Sequence, residues 1–310
     1  VSVATAFAAQ QSSAQTIYEN YSAYHHILVH DDNDRRVLYF DSSPQSTMNK
    51  QDPYTGGFEY TEFFHTPMLL DPTIKSVLFV GLGGGTGPKS FLKHYPEMRI
   101  DVSEIDPAVV KVAKKYFEVP EDSRLRIVTI DGRTFIQRTK QTYGAIIMDA
   151  YASGPNGAYL PYHLATQEFF KGAFDRIANG GCLVYNVMGE YGGANDTLVR
   201  GMLSTLESVF QKVYVFQAES SWNTVYVAQK IDPTKLAANG TRDGKAWPEG
   251  PWLAHPANIS DLAAKIVEQG AYLPPEFPKR RAQFSKAQDA KRDGILYTDN
   301  NAPVDIAQGR

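Results

Sequence analysis

VLFVGLGGGTGPKSFLKHYPEMRIDVSEID, residues 77–106, decides how this chain is read. An apolar run meets a glycine-rich turn, a short helix follows, and a second apolar run ends on Glu104 and Asp106. That order describes a nucleoside site. Glycine at 81, 83, 84, 85 and 87 lets the backbone take positive φ and lie close to a ligand, and the helix expected from Lys89 to His94 points its N-terminal N–H groups at the same spot. A carboxylate about twenty residues on, at the tip of the next strand, can accept both ribose hydroxyls. Glu104 is the candidate, with Ile105 beside it.

Four readings of the turn compete. A Walker A loop needs Gly-Lys-Ser, but Pro88 stands between Gly87 and Lys89. An NAD dehydrogenase would use the same first βαβ unit. A turn without a ligand would carry five glycines in seven residues at a large entropic cost. The fourth reading, an S-adenosyl sulfonium site, is the one preferred.

Working outward, 310 residues with 43% hydrophobic content suffice for one large domain or two smaller ones. A net charge of −3 without a sustained basic run gives no electrostatic footprint for nucleic acid. The single cysteine, Cys182, lies in the apolar run GGCLVYNV and reads as a core residue. The small, apolar start VSVATAFAAQ has three readings over residues 1–16: a disordered arm, an export-signal remnant, or the trimmed end of an upstream membrane segment. Cytoplasm is the default location, with export or membrane tethering as the alternative.

Residues 17–53 read as a small N-terminal β-domain with a hairpin around Asp32, Asn33 and Asp34. A helix is expected from Tyr54 to Leu70. From there to residue 230, strands alternate with helices, which predicts an α/β domain with a mostly parallel, Rossmann-type sheet and helices on both faces. Its strands include RIVTI, ended by Asp131-Gly132, and GAIIMD, ended by Asp149, with a loop over 150–159. KVYVFQ and TVYVAQK are expected to pair antiparallel. Residues 231–310 read as a helical appendage. Glu104, Asp131 and Asp149 each fall at the carboxyl end of a successive strand, so one crevice receives all three.

With those residues in hand, the chain resembles the spermidine synthase family of aminopropyltransferases, which share the class I methyltransferase fold. The resemblance runs from about Tyr21 to Lys230 and rests on YHHILV, VLYFDSSPQST, EYTEFFHTP, GLGGGTG, SEID, IDGRTF, IIMDAY and GGCLVYNV. The chain is also similar to the soluble part of bacterial proteins in which such a domain follows membrane helices. The resemblance implies S-adenosylmethionine or its decarboxylated form as donor, an amine acceptor and a homodimer. It implies that Gln45 contacts the donor, Glu104 the ribose and Asp131 the adenine side, that Asp149 is the catalytic base, and that Tyr60 holds the amine. Thr86 stands where the family's GGGDG has Asp, and Ala152 where its D-S-S/T-D-P has a second Asp. Loss of those acids weakens the case for putrescine and leaves methyl transfer from intact S-adenosylmethionine as the rival, with a noncatalytic nucleoside-binding module as a third reading.

His65 is expected to pack or bond near the donor, Tyr159 to close over the acceptor or join the core, and Glu190 to offer the amine another carboxylate. The histidines lack metal-binding spacing, so no metal is expected.

Overall fold

The computed structural model describes residues 15–154, 157–193, 195–231 and 291–304, with short pieces at 241–242, 245–246, 263–264, 267–268, 272–277 and 283. Nearly all of the N-terminal arm and most of the expected C-terminal appendage lie outside the described residues. Among those residues no helix is long and apolar enough to cross a membrane.

Four antiparallel strands open the fold: β1 (Gln15–Tyr21), β2 (His26–Asp32), β3 (Arg35–Phe40) and β4 (Ser43–Asn49). The hairpin at Asn33 is present, and each run flanking it breaks again, at 22–25 and at Asp41. Asn33 (φ 46°) and Asp41 (φ 54°) are left-handed, a conformation that Asn and Asp tolerate better than other side chains.

The single helix expected over 54–70 does not form. The chain passes Gly56 and Gly57 as a loop, then makes a 3₁₀ helix, Glu59–His65, and one α-turn, α1 (Pro67–Leu70). A Cβ on Gly57 would sit 2.3 Å from Thr47 Oγ1, so these glycines serve close approach to β4, and Pro67 has no N–H with which to continue a helix.

The central sheet takes β5 (Ser76–Val80), β6 (Arg99–Glu104), β7 (Leu125–Thr129), β8 (Tyr143–Met148), then, after a small hairpin of β9 (Ala152–Gly154) and β10 (Gly157–Tyr159), β11 (Ile177–Met188), β12 (Lys212–Ala218) and β13 (Asn223–Gln229). The hairpin occupies the stretch read as a loop. The seven strands lie in the order β12-β13-β11-β8-β5-β6-β7, parallel from β11 to β7, with β13 antiparallel to both β11 and β12 as expected. The chain runs outward from β5 and returns to β8 on its other side, so the topological switch point, where α/β sheets bind ligands, is the β5–β8 crevice.

Burial on both sheet faces explains the unbroken apolar strands. Val77, Phe79 and Ile147 face one layer, built on the 3₁₀ helix and α2 (Thr86–His94). Leu78, Val80, Ile146 and Met148 face the other, built on α4 (Gly132–Arg138), α5 (Gln167–Asp175) and α6 (Asp196–Glu207). Cys182 is buried in the first layer. The N-terminal sheet has its own small core, in which Ile27, Val29, Leu38 and Met48 meet Val109, Val112 and Phe117 at α3 (Pro107–Tyr116) and its end.

Gly81 follows β5 with φ 97°, and a Cβ there would stand 2.2 Å from the Asp149 carbonyl oxygen. Gly81→Ala is expected to lower unfolding free energy by at least ~2 kcal/mol, from left-handed strain and displacement of β8. Urea denaturation checks this; an unchanged midpoint would contradict the packing described.

Candidate active site

The strand ends build the site. Asp149 N–H donates to Val80 O at 2.9 Å and Gly81 N–H to Ser103 O at 2.8 Å, which brings the exits of β5, β6 and β8 together. A cavity of about 780 Å³ opens above them, under the N-terminal sheet. Gln45, Gly81, Gly83, Glu104, Ile105, Asp131, Gly132, Asp149, Tyr60 and Tyr159 all line it.

The three carboxylates differ in state. Glu104 is 7% exposed and accepts from Leu82 N–H and Asp106 N–H, each at 2.9 Å. Burial outweighs those bonds and pushes it up to about 7. Asp131 caps α4, accepting from Thr134 N–H at 2.8 Å, and takes a second bond from His163 Nε2 at 2.9 Å. The His163 bond is the main reason it is held down at about 2. Ile105, 36% exposed, also lines the cavity.

Asp149 is half-buried and faces the cavity. Desolvation lifts it to about 6, while hydrogen bonding from Asn186 and Tyr60 favours its ionised form. Asn186 Nδ2 donates to Asp149 Oδ1 at 2.9 Å. Behind it, the Tyr151 hydroxyl accepts from Met188 N–H at 2.7 Å and donates to Asn186 O at 3.1 Å, fixing the end of β11. Burial raises the Tyr60 phenol well above its ordinary range, so it stays a donor. A carboxylate near 6 in such a setting can take a proton from a bound ammonium at neutral pH.

Two latches hold the roof. Ser22 Oγ donates to Asp106, and His25, stacked on Phe40, meets Ser153 Oγ at 2.9 Å. Gly84 N–H donates to Ser46 Oγ at 2.9 Å, while Gln45 projects into the cavity from the same strand.

Not every residue singled out in the sequence reaches the cavity. Gly84 and Gly85 pack against Phe117 and Val119 instead, and Gly85 (φ 71°) starts α2 three residues earlier than expected. Thr86 sets its methyl against Gly56 and borders only a water-sized hole beside Asp149. His65 lies behind α2, between the Tyr95 hydroxyl at 2.6 Å and Ser90 Oγ at 3.1 Å, and burial drives it down to about 3. Glu190 lies past the end of β11, off the cavity wall. Tyr159 is half-buried on the wall rather than in the core. Lys89 turns away from the glycine turn and donates to Phe117 O, so it is no phosphate-binding lysine. Sequence reasoning missed Asn186, Tyr151, His163 and His25. Only the YN pair at the end of the β11 run carried a local signal, a polar side chain where a buried strand should be apolar.

Among the described residues no group of three His, Cys, Asp or Glu is placed to hold a metal ion.

The model of the spermine/spermidine synthase domain matches residues 57–232. A protein named polyamine aminopropyltransferase from Vibrio vulnificus (strain CMCP6) is 32% identical over 68% of this chain and 71% of its own length. A probable polyamine aminopropyl transferase from Bifidobacterium longum (strain NCC 2705) is 29% identical over 93% of this chain, which spans 61% of that protein. In fold, the chain is similar to a probable spermidine synthase from Corynebacterium glutamicum ATCC 13032, with a TM-score of 0.61, 20% identity, and coverage of 91% of this chain and 97% of the other. With its glycine turn, its strand-end acids and more than half its length matched, this chain belongs to the spermine/spermidine synthase family.

Proposed function

We propose that the chain transfers an aminopropyl group from decarboxylated S-adenosylmethionine to an amine. The observation that carries this reading is the charge of the cavity wall. Among the described residues three carboxylates line it and no lysine or arginine does. A sulfonium donor with an ammonium tail suits such a wall, whereas the carboxylate of intact S-adenosylmethionine finds no cation there. The named activity of the curated relatives agrees with this reading.

The acceptor nitrogen must lose a proton before it can react. An alkylamine near pKa 10.4 lies about 3.4 units from neutral at pH 7, a deficit of roughly 4.6 kcal/mol. Asp149 takes that proton while Tyr60 orients the amine. The nitrogen lone pair forms the new N–C bond on the carbon attached to sulfur. The C–S pair leaves with the sulfur, which becomes a neutral thioether, so no anion needs stabilising. Glu104 receives the ribose hydroxyls, Asp131 the adenine edge, and Gly81 and Gly83 let the nucleoside lie on the main chain; positioning supplies the remaining acceleration. Methyl transfer is the second reading, because Ala152 puts no carboxylate on the cavity wall to repel a donor carboxylate.

Product masses separate the two. Incubation with each donor and a panel of amines should give an aminopropyl adduct from the decarboxylated donor; a methyl adduct from the intact one would overturn the proposal. Asp149→Asn should lower kcat by roughly 10²-fold or more. Because Asp149 is raised to about 6, its basic form is lost as pH falls through that value. The rate of the bound complex should therefore drop about tenfold per unit below pH 6 in a pH–rate profile, and Asn at 149 should remove that limb.

Donor binding has its own pH dependence. Ribose hydroxyls donate to ionised Glu104, whose carboxyl stands near 7 in the free protein. Donor affinity by calorimetry should weaken as pH falls below 7, with protons released on binding; an affinity flat from pH 8 to pH 5.5 would remove Glu104 from the ribose role.

A further inference from the structure

We propose that the acceptor carries a single ammonium, the one that reacts, and ends in uncharged hydrogen-bonding groups such as hydroxyls rather than in a second ammonium. The inference rests on Asp149 receiving the reacting amine, as argued above.

In that reading two of the three cavity acids serve the donor, Glu104 the ribose and Asp131 the adenine edge. Glu104 accepts from two main-chain N–H groups and Asp131 from Thr134 and His163. Asp149 remains for the amine. Past Asp149 the wall continues with Asn186, Ser221 and Asn223, and with Ala152, which has no polar side-chain atom.

Two of these residues carry an unanswered polar atom. Asn186 is 2% exposed, and its amide nitrogen is spent on Asp149, yet its oxygen Oδ1 is buried with no partner. Ser221 Oγ is likewise buried with no partner. Of the four described residues that carry such an atom, these two line the cavity. Buried polar atoms are rarely left unpaired, because desolvation without a replacement bond is costly. Two at one end of one cavity point to a ligand that answers both.

The turn carrying Ser221 is held in place. Glu59 accepts from Ser220 N–H at 2.7 Å and from the Ser220 hydroxyl, while its other oxygen accepts from the Gln283 amide. Trp222, left-handed at φ 59°, gives its carbonyl to Gly189 N–H at 3.0 Å. Pairing of β13 with β11 sets Asn223 opposite Met188, so this turn and Asn186 meet at the same sheet end. Glu59 is thus used to shape the turn and does not face the cavity. Among the described residues a second ammonium would leave water for neutral oxygens alone, losing hydration without gaining a countercharge. A hydroxyl can donate to Asn186 Oδ1 and accept from Ser221 Oγ, and it brings no charge to neutralise.

The test uses putrescine, aminobutanol (one amine of putrescine replaced by a hydroxyl) and butylamine, which share a reacting amine and differ at the far end. Calorimetry on the protein saturated with the thioether product of the donor, 5′-methylthioadenosine, reads the subsite without requiring turnover. Product mass spectrometry separately reads whether aminopropyl transfer occurs at all. Aminobutanol should bind about tenfold more tightly than either of the others. Ser221→Ala should reduce that preference to below about threefold, and Ser221→Asp should turn it toward putrescine. Should Ser221→Asp fail to fold, Asn223→Asp on the same wall, with Asn186 and its bond to Asp149 left in place, provides the same reversal in the binding assay. Putrescine binding as well as aminobutanol, or better, in the unaltered protein would overturn the inference while leaving aminopropyl transfer intact. Absence of any alkylated product would instead sink the functional reading, and the order of affinities would still decide the subsite.

Discussion

Everything in this site depends on how closely the backbone passes at Gly81. The residue lies where a side chain would strike the Asp149 carbonyl, and its N–H is bound to Ser103 at the end of the adjacent strand. Three strand exits therefore converge on one point, and the residues that follow them are delivered to a common floor. A parallel sheet reversing its winding order at β5 creates the crevice. The missing side chain at 81 lets the chain leaving β8 pass directly against the floor of that crevice.

On that floor, residues of one chemical type acquire different properties from their surroundings. Glu104 and Asp149 are pushed up by desolvation, whereas the bond from His163 holds Asp131 fully ionised. A fixed anion suits the recognition of a donor group. Asp149, raised toward neutrality and held at β8 by Asn186 and Tyr60, suits the proton transfer proposed for it. The N-terminal sheet completes the arrangement by closing the cavity from above, tied down through Ser22 and His25.

The features legible in the sequence were those set by local pattern. The apolar run, glycine turn and acidic strand tip of 77–106 identify the nucleotide-type unit, and the strand-end positions of Asp131 and Asp149 follow from the alternation of strands and helices. Tertiary contacts decided the rest. Residues 54–70 have a helical stripe, but Gly56 and Gly57 are needed for contact with Thr86 and Thr47, which breaks the segment into a loop and a 3₁₀ helix. His65 has a motif-like neighbourhood, yet its partners, Tyr95 and Ser90, lie on the far face of α2. Asn186 gains its meaning from Asp149, 37 positions away in sequence, and no local spacing announces that bond. Glu190, by contrast, looked like a strand-end acid, but β11 ends two residues before it and the chain turns away.

The most direct test of the central claim is a crystal structure of the protein with 5′-methylthioadenosine. The account predicts the nucleoside lying against Gly81 and Gly83, its ribose hydroxyls on Glu104 and its sulfur directed toward Asp149. A nucleoside bound elsewhere, or a cavity filled by side chains with the Asp149 carboxylate turned out of it, would contradict the account.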